Sequence, residues 1–460
     1  MKKQLFIVLL ACFTLAMHAH DFKVSGLKYI INEDELTVTI VKSSKKKGEL
    51  VIPPTVSDNN KTYVVTTIAD GVFADSPDVT TVIVTDNVTT IGRGAFKDCT
   101  GITSLTLGSS LVAIGDSAFS GCTALTDVVI TDAVASVGKA AFNNCKSLTT
   151  LTVGSAVNSI DETAFAGCNR LATLNWNAAS CGDFNSNSPF NGLNSIKTVT
   201  IGNQVERIPA CLCTNISGLS TLTIGNQVKT IGERAFNGCA SLESVNIGNS
   251  VTDLGVRAFF GCSGLTDVVI GNAVTKVGDY AFGGCYALKS VTMGNAVSII
   301  GENAFFGCRG LTYFVVPNSV TIIGDNAFDG CNGLTSLTIG HAVTTIGASA
   351  FGGCTALTTV NWNARACVDF TEQNHPFRFL NSLKTIVFGN QVKRIPAYLC
   401  YMNSALTTVD IPNNVAAIAE CAFAACDNLS SVTIANPQAL IASNAFERCK
   451  NLTSIPGQQQ

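Results

Sequence analysis

Leu219-Ser-Thr-Leu222-Thr-Ile224-Gly225-Asn226-Gln-Val228-Lys-Thr-Ile231-Gly232-Glu233-Arg-Ala235-Phe236-Asn-Gly-Cys239 is the stretch that decides the fold. Leu219 to Ile224 alternates toward its end and is rich in β-formers, so it reads as a strand. Gly225-Asn226 supplies a turn, because both residues tolerate positive φ. Val228 to Gly232 is a second short extended piece, and Glu233 to Cys239 is expected to close the unit as a tight helical turn. The apolar residues Leu219, Leu222, Ile224, Val228, Ile231, Ala235, Phe236 and Cys239 are all expected to point inward. One such unit cannot bury them; stacked units can, each position becoming a ladder along a shared core.

The stacking partners are visible in the chain. A Phe recurs at 73, 96, 119, 142, 165 and 190, at 236, 259, 282, 305, 328, 351 and 377, and at 423 and 446, with Cys213 and Cys400 in the same column. That makes 17 units, and 14 of the 16 spacings are 23 residues; the exceptions are 25 (Phe165 to Phe190) and 26 (Phe351 to Phe377). The expected fold is mainly β: a curved parallel-β solenoid.

Composition excludes other classes. The chain has 460 residues, 47% hydrophobic and only 13% charged, against a usual charged share of roughly 25%. Disorder requires the opposite balance. With 29 basic and 32 acidic residues, net −3, no basic excess exists to neutralise nucleic-acid phosphates. Coiled-coil composition is absent too. Mean hydropathy is +0.33, yet the single long apolar run is Leu5 to Met17, behind Lys2 and Lys3, too short to span a bilayer comfortably. It reads as a signal peptide over residues 1–19, cleaved after Ala19 or Ala16. The rival reading is a lipobox, Leu9-Leu10-Ala11-Cys12, with lipid anchoring through Cys12. Secretion or cell-surface display is the expected location either way.

The pattern Leu-x-x-Val-x-Ile-Gly-x-x-Val-x-x-Ile-Gly-x-x-Ala-Phe-x-x-Cys resembles the BspA-like class of leucine-rich repeats, over roughly residues 65 to 454. The resemblance implies a surface or secreted protein without enzymatic activity. Its best-known relatives are adhesins that bind host extracellular-matrix proteins or other cells, so an extracellular protein is the implied partner. Two alternatives stay open: a glycan-binding module, suggested by Thr/Ser/Asn-rich exposed strand positions, and a self-assembling structural surface component that associates through an uncapped C-terminal end.

Residues 20–57 fall outside the repeat, which occupies 58–460. Phe22 to Ile31 and Leu36 to Ile40 alternate around Asn32-Glu-Asp-Glu35 and read as a β-hairpin, a cap for the open end of the core. Lys42 and Lys45 to Lys47 read as a solvated loop or edge guard.

Twelve cysteines share one column, from Cys99 to Cys449. Their side chains run parallel at the ~4.8 Å rung spacing, whereas a disulfide wants converging Cβ atoms ~3.8 Å apart; they read as buried small hydrophobes. Neither CxxC spacing nor clustered histidine supports a zinc site. No catalytic motif, metal site or cofactor is expected.

Two units are longer, with insertions near 177–189 and 363–376. One runs from Asn175-Trp176 through Cys181 and Asp183 to Pro189-Phe190, the other from Asn361-Trp362 through Cys367 and Asp369 to Pro376-Phe377. Phe190 to Phe377 and Cys213 to Cys400 are both 187 residues, so a block of eight units is duplicated. The insertions are expected to bulge from the side of the solenoid, with Trp176 and Trp362 in the core. Loops on a rigid scaffold concentrate binding residues, which makes Asp183, Asp369, Arg207 and Arg394 candidate ligand contacts. The outward strand column adds Asn175, Asn361, Thr200, Thr223 and Asn246, and Tyr313 is its one clear exposed aromatic.

Overall fold

A strand as short as Thr221–Thr223 cannot hold a sheet by itself; it persists because the same segment recurs one rung away. In the computed structural model, which describes residues 21–44, 47–185, 187–378 and 380–454, the chain is a parallel β-solenoid, with no helix among the described residues. The expected signal segment, Cys12, Lys45, Lys46 and the end of the last partial strand lie outside the described residues.

Each regular rung has three sides. The first is a strand of three or four residues paired in parallel with its neighbours at 23-residue offset, as in Asp127↔Thr150 and Thr150↔Thr173. The second is a two-residue strand, such as Thr230–Ile231 on Asp253–Leu254. The third, expected to be helical, is instead a run of turns. Along Arg234 to Cys239, alternate N–H groups close locally (Ala235 to Gly232 O, Asn237 to Arg234 O, Cys239 to Phe236 O), and the others donate to the next rung (Arg234 to Val256 O, Phe236 to Ala258 O, Gly238 to Phe260 O). A left-handed residue at Arg234 (φ 53°) and another at Gly238 (φ 75°) prevent a helix from propagating.

The core is a set of ladders. Successive Phe rings stack with centroids 5.0–5.6 Å apart from Phe73 to Phe190, and the stack resumes from Phe236 to Phe377 and from Phe423 to Phe446. Leu219, Val228, Ile231, Ala235, Phe236 and Cys239 are fully buried as expected. Leu222 and Ile224 are only partly covered and pack on the core's edge.

The N-terminal segment is more elaborate than one hairpin. Ser25-Gly26, both at positive φ, splits the expected first strand into β1 (Asp21–Val24) and β2 (Leu27–Ile31), which pair antiparallel. β2 then pairs antiparallel with β3 (Thr37–Ser43) across the expected Asn32 turn. β3 lies parallel to β6 (Lys61–Ile68), itself folded back antiparallel on β5 (Thr55–Asp58). β4 (Lys47–Ile52) already runs parallel to β7 (Asp78–Val84) of the first sheet. The segment therefore grows out of the solenoid's own sheets.

The second sheet is divided into three blocks, ending at Ser159–Ile160, spanning Arg207–Ile208 to Thr345–Ile346, and running from Arg394–Ile395 to Leu440–Ile441. Both breaks coincide with the insertions.

Candidate functional site

The outward column of the first sheet runs in blocks, because the sheet's ladder is interrupted between Thr223 and Asn246 and between Thr292 and Val315. Thr152, Asn175, Thr200 and Thr223 lie side by side, as do Val315, Thr338, Asn361 and Val387. Asn175 Nδ2 donates to Thr152 Oγ1, and Asn361 Nδ2 to Thr338 Oγ1, both at 3.2 Å, so these two amides are engaged along the ladder. Asn246 is exposed and accepts from the Gly248 N–H, its own turn. Tyr313 is 61% exposed, next to Val315 at 58%.

The insertion candidates belong to another side of the molecule, because Arg207 and Arg394 open strands of the second sheet. They pair within each copy. Arg394 grips Asp369 through two bonds of 2.6 and 2.7 Å, and the Ala397 N–H donates to the same carboxylate at 2.8 Å. Arg207, through a single bond, and the Ala210 N–H both donate to one oxygen of Asp183. The Arg394 guanidinium, against partial burial and with help from Ala397, keeps the Asp369 carboxyl below the usual range. Burial would raise Asp183, but the Arg207 and Ala210 bonds outweigh it.

Nor do the insertions stand off as free loops. The N–H groups of Ala179 and Gly182 donate to the preceding rung, and Phe184 N–H donates to Ala210 O of the following one; Arg365, Val368 and Phe370 repeat the pattern. The inserted residues thus replace the missing second-sheet strand, and the Asp–Arg pair clamps them. Trp176 and Trp362 are fully buried as expected, edge-on to Phe190 and Phe377, with both indole nitrogens unpartnered.

Sequence reasoning missed the turn side. Arg257 lies 4.9 Å from the Tyr280 ring centroid and 6.0 Å from that of Phe260, and Arg309 lies 5.0 Å from that of Tyr286. Tyr286 is 52% and Phe306 40% exposed. Arg234, Arg257 and Tyr280 occupy the left-handed position of their rungs (φ 53–57°), a conformation that costs a residue with a Cβ about 1–2 kcal/mol. The signal was available: most other rungs put Gly, Ser, Ala, Cys or Asn there.

His375 lies at the end of the second insertion. It is 3% exposed, its Nδ1 has no partner, and burial, with Arg378 beside it, holds its pKa down to about 4. Asn403 was also missed. It takes the cysteine column's place in its rung, donates to Phe377 O and Leu380 O, and leaves Oδ1 unpartnered.

The twelve column cysteines each direct Sγ to a carbonyl of the Phe column one rung back, at 3.0–3.4 Å. All eighteen cysteines among the described residues are free thiols, and all but Cys449 are buried. Among the described residues no group of three or more His, Cys, Asp or Glu could hold a metal ion, and no helix is long and apolar enough to cross a membrane.

Two parallel sheets closed by a hydrogen-bonded turn wall, with one Phe, Leu and Cys ladder inside, define a leucine-rich repeat solenoid. Residues 66–188, 185–312, 298–399 and 373–460 match the BspA type leucine rich repeat region, and the chain belongs to that family. Such repeats suggest a protein-interaction role. Among solved structures, a leucine-rich repeat protein from Bacteroides ovatus is similar at 26% identity, covering 80% of this chain and 100% of that one, with a TM-score of 0.48. A leucine rich cell surface protein from Faecalibacterium prausnitzii is 22% identical, covering 94% and 93%, TM-score 0.29. The pneumococcal vaccine antigen PcpA is 15% identical, covering 80% and 93%, TM-score 0.37. No curated protein matches the chain.

Proposed function

We infer that this chain is a secreted or cell-surface interaction protein, non-enzymatic, that adheres to an extracellular protein of the matrix or of a neighbouring cell. The observation that carries this reading is the cluster on the turn side. Tyr, Phe and Arg are the residue types that dominate binding hot spots. Here Phe260, Tyr280, Tyr286 and Phe306 gather with Arg257 and Arg309 on consecutive rungs. An array of this kind on a rigid scaffold loses little conformational entropy on contact. Placing Arg257 and Tyr280 in left-handed backbone, where a smaller residue fits more easily, is a local cost with no return in core packing.

The test is surface binding of the full chain to a panel of extracellular-matrix proteins and to intact cells. The Tyr286→Ala, Phe306→Ala double variant should lose at least tenfold in affinity while keeping its fold. A Tyr313→Ala variant on the first sheet should bind as the parent does. The opposite pattern would move the contact to the first sheet, and no binding to any protein or cell in the panel would sink the adhesion reading.

A further inference from the structure

The two insertions are copies of one design whose surfaces have diverged. In the first copy Ser188, two residues before Phe190, donates its hydroxyl to Leu212 O at 2.6 Å and accepts from the Phe190 N–H. Thr214 donates to Arg234 O at 2.8 Å. Both side chains are spent on their own backbone. One block later His375 stands at the Ser188 register, and its Nδ1 has no partner. Tyr401 stands at the Thr214 register; its hydroxyl instead reaches across to Glu372 Oε1, at 3.1 Å. Arg378 replaces Asn191 and donates to Gln373 O at 3.0 Å.

Where the cleft at Thr214, about 340 Å³, is lined by Asn215, Arg234, Arg257 and Phe260, the second copy carries a cleft of about 370 Å³, lined by the buried His375 with Glu372, Gln373, Arg378, Asn381 and Tyr401. That volume lies within the range of small-molecule sites, roughly 300–1,000 Å³. Its chemistry is selective. One carboxylate, one guanidinium and one neutral imidazole give no net charge, which disfavours phosphate or a polyanion. Carboxylate, amide and guanidinium groups are planar and bond pairs of adjacent hydroxyls. The Tyr401 ring, edge-on to His375 at 5.7 Å and to Tyr398 at 5.3 Å, supplies an aromatic surface for C–H groups. A ligand with adjacent hydroxyls on one side and an apolar C–H face on the other is a sugar. Buried polar atoms without partners are rare in folded proteins; besides the indole nitrogen that each copy leaves unpartnered, this copy holds His375 Nδ1 in the cleft lining, with Asn403 Oδ1 outside it, where the first copy has the satisfied Ser188 and the apolar Ile216.

We propose that the cleft beside the second insertion binds a neutral mono- or disaccharide unit, with Glu372, Arg378 and Asn381 on its hydroxyls and Tyr401 against its C–H face. The site is separate from the turn-side cluster and does not depend on it.

Saturation-transfer NMR and calorimetry of the full chain against galactose, glucose, mannose, N-acetylglucosamine and lactose test this, with circular dichroism checking the fold of each variant. At least one sugar should bind with a Kd on the order of 1 mM. Tyr401→Phe should weaken binding modestly, and Tyr401→Ala and Glu372→Gln should each weaken it about tenfold, worth ~1.4 kcal/mol. Thr214→Ala, at the same register of the first copy, should leave it unchanged. No binding by any of these sugars overturns the proposal, as does binding that survives Tyr401→Ala in a folded protein. Tighter binding of inorganic phosphate or sialic acid than of every neutral sugar would overturn the charge argument.

Discussion

Raising the pH should unfold this protein cooperatively, because most thiols of the cysteine ladder are buried too deeply to ionise in place. Burial pushes the thiols of Cys122, Cys285, Cys308 and Cys426 far upward, and those of Cys213 and Cys400 in the Phe column likewise. In the unfolded chain a thiol ionises near its ordinary value of ~8.5. A native pKa above the unfolded one means stability fully present below pH ~8.5 and lost as pH rises toward the native value. While the native thiol stays protonated, each costs the fold RT ln(1 + 10^(pH − 8.5)), about 1.4 kcal/mol at pH 9.5 and about 2 kcal/mol at pH 10. A 23-residue rung at ordinary per-residue stability carries only roughly 1–3 kcal/mol, and solenoid stability is a near-neighbour sum over rungs. Cooperative unfolding is therefore expected at about pH 9.5–10, before lysines reach their own deprotonation midpoint of ~10.4.

The assay is urea denaturation followed by circular dichroism from pH 7 to 10.5, with a reductant present throughout. The loss of stability with pH above 9 should approach about 1.4 kcal/mol per pH unit for every thiol in the unfolding unit whose native pKa burial raises. A Cys285→Ala, Cys308→Ala, Cys331→Ala variant, at three thiols that burial raises, should be weaker at pH 7, by about 1–2 kcal/mol per site, yet fall less steeply with pH. Stability that stays flat from pH 8 to 10, together with native thiols that react freely with a disulfide reagent, would refute the reasoning.

Phe282→Ala removes a ring stacked on both sides and should cost about 3–5 kcal/mol, whereas Phe306→Ala, on the turn surface, should stay within about 0.5 kcal/mol; denaturation midpoints compare them. Gly271→Ala would place a Cβ 1.7 Å from Gly248 O, so rungs must separate, and a loss of about 1–3 kcal/mol is expected by the same measurement. Asp369→Asn breaks a half-exposed pair and should cost under about 1 kcal/mol at pH 7. Because the native Asp369 pKa is lowered, that difference should be complete above pH ~4 and vanish as pH falls through the native value; repeating the titration at pH 3 checks it.

The sequence by itself determined the solenoid. A register such as Phe259, Phe282 and Phe305 places equivalent side chains one above another, and only stacking can bury them. It also determined that Trp176 and Trp362 are core residues and that the thiol column is a packing ladder, because both follow from which face a position occupies. The turn side is not helical as expected because a left-handed residue such as Arg234 breaks the helix; an Arg does not announce positive φ, and the signal lies only in the small residues of its column in other rungs. What only the tertiary structure decided is where unlike rungs meet. Asp369 and Arg394 lie 25 residues apart and form one clamp because the insertion displaces a strand, so their charges face each other. Tyr401 and Glu372 close a cleft over His375 because two different rungs contribute its walls. Periodicity predicts contacts between equivalent positions; contacts between inequivalent ones depend on side-chain reach and direction, which only the folded chain fixes.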